Sequence, residues 1–300
     1  MRLAPLLLVL MLLSACGSFG GKTPEANVHS GTKGVVMTIA SGSPPPKVFM
    51  GDPFSIIGTI SDDGATDVDN GVLSIGIEDD FVSLDGQRVR PLRLFGRSAL
   101  NPVGETQTLR LDLTAKSLPQ VTETVTSTVL LTMCYAYSTT ASATVCIDTD
   151  LENKVKNKPC TIKAIGLGGG QGAPVSVSRI EPSMSSHTDK NRVLPGFTIT
   201  VDNIGGGQII SPDKIMDACT GKTAGDINKA VVKAFLSDKE LTCNKEGTIK
   251  LADNQNVVRC SLPEGIDKTA GTYSSVVRVE VEYGYSSSIS KSVQIVRANV

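Results

Sequence analysis

The sequence predicts an all-β protein, built from two antiparallel β-sandwiches in tandem that follow an export signal and a flexible tether. Three observations support this prediction: apolar and polar residues alternate over many short segments, helical periodicity is nearly absent, and Gly, Pro, Asn and Asp separate the segments. The chain of 300 residues is long enough for a tether and two sandwiches of roughly 100 residues each.

The first fifteen residues have the composition of an export signal. Arg2 precedes the apolar run LLLVLMLL at residues 6–13, and the small residues Ser14 and Ala15 follow it. A membrane-spanning helix needs about 20 apolar residues, whereas the core of an export signal needs roughly 7 to 15. We therefore predict a signal peptide over residues 1–15.

The sequence LSAC at residues 13–16 resembles the lipobox of prokaryotic lipoproteins. The resemblance implies cleavage before Cys16 and a thioether-linked diacylglycerol on its sulfur, which makes the membrane an expected partner. More than one acyl chain gives stable attachment, whereas a single chain does not. The expected location is outside the cytoplasm, at the cell envelope or cell surface. One alternative is an ordinary cleaved signal peptide with a chance cysteine, and a less favoured one is a retained N-terminal anchor.

Residues 16–34 are rich in Gly, Ser, Lys, Thr and Asn and predict a flexible tether. The first sandwich is expected over residues 35–165. Its strands include FSIIGTI, LSIGI and LRLDL, each with large apolar residues on one face. The run at residues 125–147 predicts a hairpin that turns at its STT sequence, with Val129 to Tyr137 presenting alternate apolar side chains to one face.

The glycine-rich sequence GLGGGQG at residues 166–172 marks the expected boundary, and the second sandwich is expected over residues 173–300. Its strands include FTITVDN and AVVKAFL. The stretch at residues 276–296 predicts a long hairpin with a turn in its serine run and with one side buried.

The segment ITVDNIGGGQII at residues 199–210 resembles the strand-Asn-x-Gly segment of immunoglobulin-like modules found in tandem on prokaryotic surfaces. The second half as a whole is similar to uncharacterised secreted β-sandwich proteins predicted from archaeal genomes. The resemblance implies an immunoglobulin-like fold and does not bear on activity.

Six cysteines besides Cys16 agree with export, and they divide equally between the halves. They are Cys134, Cys146, Cys160, Cys219, Cys243 and Cys260. Six thiols in an exported chain predict disulfides, although the sequence does not choose among the possible pairings. Because each half contains an odd number of cysteines, either one disulfide joins the two halves or each half keeps one unpaired thiol. Zinc is disfavoured because no Cys-x-x-Cys occurs.

Four acids lie close together in SDDGATDVDNG. They are Asp62, Asp63, Asp67 and Asp69. Calcium prefers such oxygen-rich loops, but the positions of the acids and glycine do not match an EF-hand. A polar turn is the favoured interpretation, since Asp, Asn and Gly are turn-forming residues. These acids are therefore weak metal candidates, and no metal site or cofactor is predicted.

No catalytic motif has the context that it needs. SISK at residues 288–291 has the Ser-x-x-Lys spacing, but on a strand its Ser and Lys point to opposite faces. GGGQGA is interpreted as a linker because no helix follows it. His29 falls in the tether, and His187 beside Asp189 lacks a Gly-x-Ser-x-Gly partner. We predict that the protein is not an enzyme.

The composition narrows the class of partner. Lys and Arg number 29 against 30 Asp and Glu, so no basic excess indicates a nucleic-acid partner. The chain contains no Trp, so it offers few aromatic side chains that could stack on a sugar ring. The sequence predicts a lipid-anchored structural or adhesion protein whose partners are other envelope proteins. A ligand-binding lipoprotein, perhaps calcium-dependent, is the first alternative, and a hydrolase is the second.

Overall fold

A computed structural model describes residues 27–222, 227–251 and 256–298. The predicted signal peptide, Cys16 and the first part of the predicted tether lie outside the described residues. Nearly all regular structure in the described ranges is β-strand, which confirms the all-β prediction. None of the helices in these ranges is long and apolar enough to span a membrane.

Eight strands lie between residues 27 and 150. They are β1 (Val35–Ile39), β2 (Lys47–Phe49), β3 (Pro53–Asp62), β4 (Val68–Ile77), β5 (Val82–Asp85), β6 (Val89–Leu94), β7 (Thr106–Ala115) and β8 (Thr124–Asp148). The predicted strands FSIIGTI, LSIGI and LRLDL fall within β3, β4 and β7. Buried residues alternate along β3 and β7, as the sequence predicts.

Eleven further strands follow in the described part of the chain. They are β9 (Ile165–Gly166), β10 (Val175–Ser186), β11 (Arg192–Asn203), β12 (Gln208–Ile210), β13 (Lys229–Leu236), β14 (Lys239–Glu240), β15 (Thr242–Cys243), β16 (Thr248–Lys250), β17 (Val257–Ser261), β18 (Ile266–Asp267) and β19 (Thr272–Val296). One short helix, α1 (Ile215–Cys219), follows a 3-10 turn at Pro212–Lys214. Two more 3-10 segments lie at Asn244–Gly247 and Lys268–Ala270.

The strands form three sheets. The central sheet has the order β14-β13-β19-β8-β4-β6, with β12 and β2 also paired to β19 and β16 paired to β13. The first cover sheet has the order β1-β3-β7-β5. The second cover sheet has the order β15-β17-β11-β10-β9, with β18 beside β11. The two cover sheets pack on one face of the central sheet, so the molecule is a pair of β-sandwiches.

The two sandwiches share β8 and β19. These strands are antiparallel and pair over all 25 residues of each, from Thr124 opposite Val296 to Asp148 opposite Thr272. The first half of β8 lies under the first cover sheet and its second half under the second, while β19 runs the opposite way. Each half of the chain therefore supplies a strand to the core of both sandwiches.

Both predicted hairpins are wrong. The chain does not turn at residues 138–140 or in the serine run at residues 286–288, since each stretch lies inside one continuous strand. Ser and Thr are compatible with extended backbone, and neither stretch contains the Asn, Asp or Pro that would favour a turn. The predicted inward face of each stretch is nevertheless correct, because the alternation continues without a break.

All six predicted cysteines form disulfides: Cys146–Cys160, Cys243–Cys260 and Cys134–Cys219. The bond between Cys134 and Cys219 joins the two halves of the chain, which is one of the two outcomes that the odd counts allowed. Three disulfides are typical of proteins that fold in an oxidising compartment outside the cytoplasm.

Candidate functional site

Four tyrosines form a layer at the middle of the molecule, where one cover sheet gives way to the other. Tyr135 and Tyr137 lie on β8, opposite Tyr285 and Tyr283 on β19. All four are buried, and neighbouring ring centroids lie 5.5 to 6.4 Å apart in edge-on or tilted arrangements. Such aromatic pairs contribute about 0.5 to 1.5 kcal/mol beyond their buried area. The layer closes the core across the gap between the cover sheets.

The tyrosine hydroxyls fix separate connecting segments to this layer. The backbone N–H of Val35 donates to Tyr135 Oη at 3.1 Å, and that of Gly207 donates to Tyr285 Oη at 2.6 Å. The Tyr283 and Thr139 hydroxyls lie 3.0 Å apart. These contacts hold loops from both halves against the same four rings.

Asp62, at the end of β3, is fully buried beside the ring of Tyr137. Its Oδ1 accepts hydrogen bonds from the Tyr137 hydroxyl at 3.1 Å and from the Gly64 N–H at 3.0 Å. Its Oδ2 is buried and has no hydrogen-bond partner. Burial raises the pKa of Asp62 to about 6, and the nearby acids Asp67 and Asp63 act in the same direction. This carboxyl group can therefore take up a proton at mildly acidic pH.

The other acids predicted as weak metal candidates have separate roles. Asp63 accepts from the Ser61 hydroxyl, Asp67 accepts from the Gly96 N–H at 2.8 Å, and Asp69 pairs with Arg93. Over residues 27–222, 227–251 and 256–298, no group of three or more His, Cys, Asp or Glu side chains could hold a metal ion. Asp63, Asp67 and Asp69 thus each engage a different partner in the local structure.

The hydrogen bonds of His187 in the described part of the chain go to backbone groups. His187 Nδ1 accepts from the Asp189 N–H at 2.9 Å, and its Nε2 lies 2.8 Å from the Pro263 carbonyl oxygen. Both ring nitrogens of His187 therefore form hydrogen bonds with backbone groups at the surface. His29 lies at the exposed start of the described chain.

A groove of about 970 Å³ opens on the outer face of the central sheet, beside β4, β6 and the turn that leads into α1. Its lining includes the apolar residues Val72, Val89, Leu92, Ile215 and Met216. The disulfide between Cys134 and Cys219 holds α1 over the sheet and forms a small second apolar cluster there. The groove is therefore built from both halves of the chain.

Charged side chains surround this apolar floor. Arg90, Arg93, Asp69 and Asp213 all line the groove, and Arg93 forms its ion pair with Asp69 at 3.2 Å. The Arg90 guanidinium donates to the carbonyl oxygens of Gln87 and Arg110 and has no carboxylate among these bonds. The rim therefore carries two Arg and two Asp, and Arg90 is the cation that a negative group of an amphiphilic ligand would meet.

Sequence reasoning missed this groove. A local signal for α1 exists, because Pro212 follows Ser211 and Gly221 follows the helix, as at many helix ends. No sequence pattern indicates that this short helix packs on strands from the other half of the chain.

No family model and no curated protein matches the chain. Several solved structures show a weak likeness to the chain. One is a serine-rich repeat adhesion glycoprotein from Streptococcus agalactiae, with 9% identity, 92% of this chain and 99% of that chain covered, and a TM-score of 0.17. Another is the B domain of a biofilm-associated protein, with 8% identity, 85% and 73% covered, and a TM-score of 0.16. At these TM-scores the likenesses carry no argument about function.

Proposed function

We propose that the protein is a lipid-anchored, extracytoplasmic scaffold or adhesion protein that acts by binding and has no catalytic activity. The observation that carries this proposal is the pairing of β8 with β19 over their whole length. At about 3.3 Å per residue, a strand of 25 residues spans about 80 Å. A body stiffened along such a length suits a protein that holds surfaces apart.

Cross-links between the halves support the same role. The disulfide between Cys134 and Cys219 and the layer of four tyrosines restrain one sandwich against the other. A scaffold transmits force or position only if its modules do not bend at their junction. The two sandwiches therefore act as one rigid unit.

The anchor is proposed at Cys16, which carries a diacylglycerol after cleavage of residues 1–15. Residues 16–26 then tether the sandwiches to the bilayer, with a mean reach of about 20 Å for a flexible chain. The later part of the predicted tether is bound to the sandwiches, since the Gly31 N–H donates to the Gly169 carbonyl oxygen at 2.8 Å and the Arg97 guanidinium donates to the Val28 carbonyl oxygen at 2.9 Å. Other envelope proteins are the proposed partners, because the anchor would hold the protein among them. The nearly balanced charge does not favour a nucleic acid as a partner.

Mass spectrometry of the protein extracted from intact cells with detergent tests the proposal. We expect an N-terminal peptide that begins with a diacylated Cys16, and cross-linking beforehand joins the protein to other envelope proteins. The Cys16→Ser variant leaves the membrane fraction, whereas a serine at the paired Cys243 and Cys260 does not change the fractionation. An unmodified Cys16 in the mature protein contradicts the anchor, and a cross-linked sample without partners contradicts the scaffold.

The groove supports a second candidate function, the binding of an anionic amphiphile. Anilinonaphthalene sulfonate is a suitable probe because it joins apolar rings to a sulfonate. We expect saturable fluorescence enhancement that Met216→Glu reduces at least about tenfold in affinity, since the new carboxylate replaces an apolar lining residue and repels the sulfonate. Ile57→Glu, at a half-exposed apolar residue of the first cover sheet, is the matched control. Equal binding by all three proteins contradicts this function.

A further inference from the structure

One edge of β8 is left without a neighbouring strand. The strand β4 pairs with β8 only between Val129 and Cys134. Beyond Cys134, within the part of the chain that the structure describes, no strand pairs with this edge through to Asp148. The side chains of Thr140, Ser142 and Thr144 along it are exposed.

The backbone groups of these three residues point outwards from the edge. The Thr66 hydroxyl donates to the Ser138 carbonyl oxygen at 2.9 Å, and this contact lies on the side of β8 away from β19. In an antiparallel sheet, alternate residues direct their N–H and C=O to the same side. Thr140, Ser142 and Thr144 therefore present donors and acceptors to an incoming strand.

The edge lacks the features that usually prevent pairing. Natural edge strands carry charges, prolines or bulges, but residues 124–147 contain no Asp, Glu, Lys, Arg or Pro. The free stretch of β19, between its partners β12 and β2, differs because it carries the half-buried Lys291. The edge of β8 is thus the more favourable place for a further strand.

The sequence along this edge is its own complement. Residues 140–144 read Thr-Ala-Ser-Ala-Thr in both directions. We propose that a second copy of this chain pairs with the edge, antiparallel and about a two-fold axis at Ser142, so that the two central sheets become continuous. Ser142 then lies opposite Ser142 of the second copy, and Thr140 lies opposite its Thr144.

The side chains fit this arrangement. Cross-strand Thr–Thr and Ser–Ser pairs form favourable hydroxyl contacts, and the uncharged strand has no like charges to repel its copy. Ala141 and Ala143 face the core and are 3% and 7% exposed. A two-fold contact uses the same patch on both molecules and closes, so the product is a dimer and not a fibre.

The interface is small. Three residue pairs supply about six backbone hydrogen bonds, and one strand pair buries less area than the roughly 1,200 Å² of a typical stable interface. The dimer is therefore weak in dilute solution. It forms when molecules are concentrated, for example on a shared surface. This inference does not depend on the proposed anchor.

Disulfide trapping in the full chain tests the geometry. Residues opposite one another in a hydrogen-bonded antiparallel pair have Cα atoms about 5.5 Å apart, within the range that a disulfide bridges. Under mild oxidation, Ser142→Cys should form covalent dimers at least about tenfold faster than Ser290→Cys, at another exposed serine, on β19. Peptide mapping verifies that the three native disulfides remain.

A mixing experiment tests the register. Thr140→Cys and Thr144→Cys should each cross-link slowly alone and rapidly when mixed, because residue 140 faces residue 144 of the other copy. Ser142→Lys should abolish dimers in sedimentation at high concentration and leave the melting temperature unchanged, whereas Ser142→Thr should retain them. Equal trapping of Ser142→Cys and Ser290→Cys, no gain on mixing, or assemblies larger than dimers would overturn the inference.

Discussion

Asp62 combines a buried carboxyl group with one oxygen that has no hydrogen-bond partner. The groups around it are the Tyr137 hydroxyl, the Gly64 N–H, and the acids Asp63 and Asp67. The side chain contacts no cation that would compensate its charge. The folded protein therefore favours the protonated form of this acid.

The pKa of Asp62 predicts how stability depends on pH. It is raised from 3.8 to about 6 in the folded state, so its stabilising contribution is complete below pH 4 and is lost as the pH rises through 6. Between pH 4 and pH 7 we expect the free energy of unfolding to fall, by at most about 3 kcal/mol. Urea denaturation at several pH values measures this. Asp62→Asn should flatten the profile, while Asp63→Asn should not.

Gly64 illustrates how closely the loops approach the tyrosine layer. A Cβ at this position would lie 1.9 Å from Tyr137 Oη and 2.7 Å from the Gly172 carbonyl oxygen. We expect Gly64→Ala to lower the free energy of unfolding by about 1 to 3 kcal/mol, as for other overpacked sites. Gly166→Ala, where a Cβ meets nothing within 4 Å, is the control. Equal urea midpoints for the two variants would rule out this tight contact.

At the scale of elements, the disulfide between Cys134 and Cys219 closes a much longer loop than the other two. Its sequence separation is 85, against 14 for Cys146–Cys160. In the chain-entropy model, removal of the first costs about 4 to 5 kcal/mol and removal of the second about 3 kcal/mol.

Paired alanine substitutions and urea unfolding test this order. The Cys134→Ala and Cys219→Ala double variant should be the less stable of the two. It should also lose the binding of anilinonaphthalene sulfonate, since α1 is then no longer fixed over the groove. A larger loss for the Cys146 and Cys160 pair would contradict the role assigned to the long loop.

Sequence alternation predicted which faces of the strands are buried, but not how far the strands extend. In β8 the inward face was predicted correctly from Val129 to Tyr137, because a strand alternates with a fixed period of two. The run Ser138 to Thr140 was interpreted as a turn, although the extended backbone continues through it. The continuation depends on β19, which lies far away in sequence and supplies every hydrogen-bonding partner on that side.

The candidate site was less predictable than the fold. All six cysteines were identified, but their pairing depends on three-dimensional contact between the halves. Asp62 was included as a metal candidate, whereas its burial against Tyr137 gives it a different role. The groove required knowledge of how α1 packs, and a helix as short as Ile215–Cys219 carries too little periodicity to indicate a buried face.

For the whole molecule, the shared strands predict a single unfolding transition. Neither of the predicted domains, residues 35–165 and 173–300, contains both β8 and β19, so each alone lacks a central strand of its core. We expect calorimetry of the intact chain to give equal van 't Hoff and calorimetric enthalpies.

Fragments that cover the two predicted domains provide the complementary measurement. Each should show the circular dichroism of an unfolded chain under conditions in which the intact protein is folded. A folded fragment, or two resolved transitions in the intact protein, would support the division that the sequence predicted.

The pairing of β8 with β19 also governs the order of events when the chain is synthesised. β8 leaves the ribosome long before β19, its partner along all 25 residues. Such distant pairing makes folding slow and leaves apolar strands exposed in the interval. Neither core can be completed until β19 has been synthesised, so the protein becomes resistant to proteases only at the end of its synthesis.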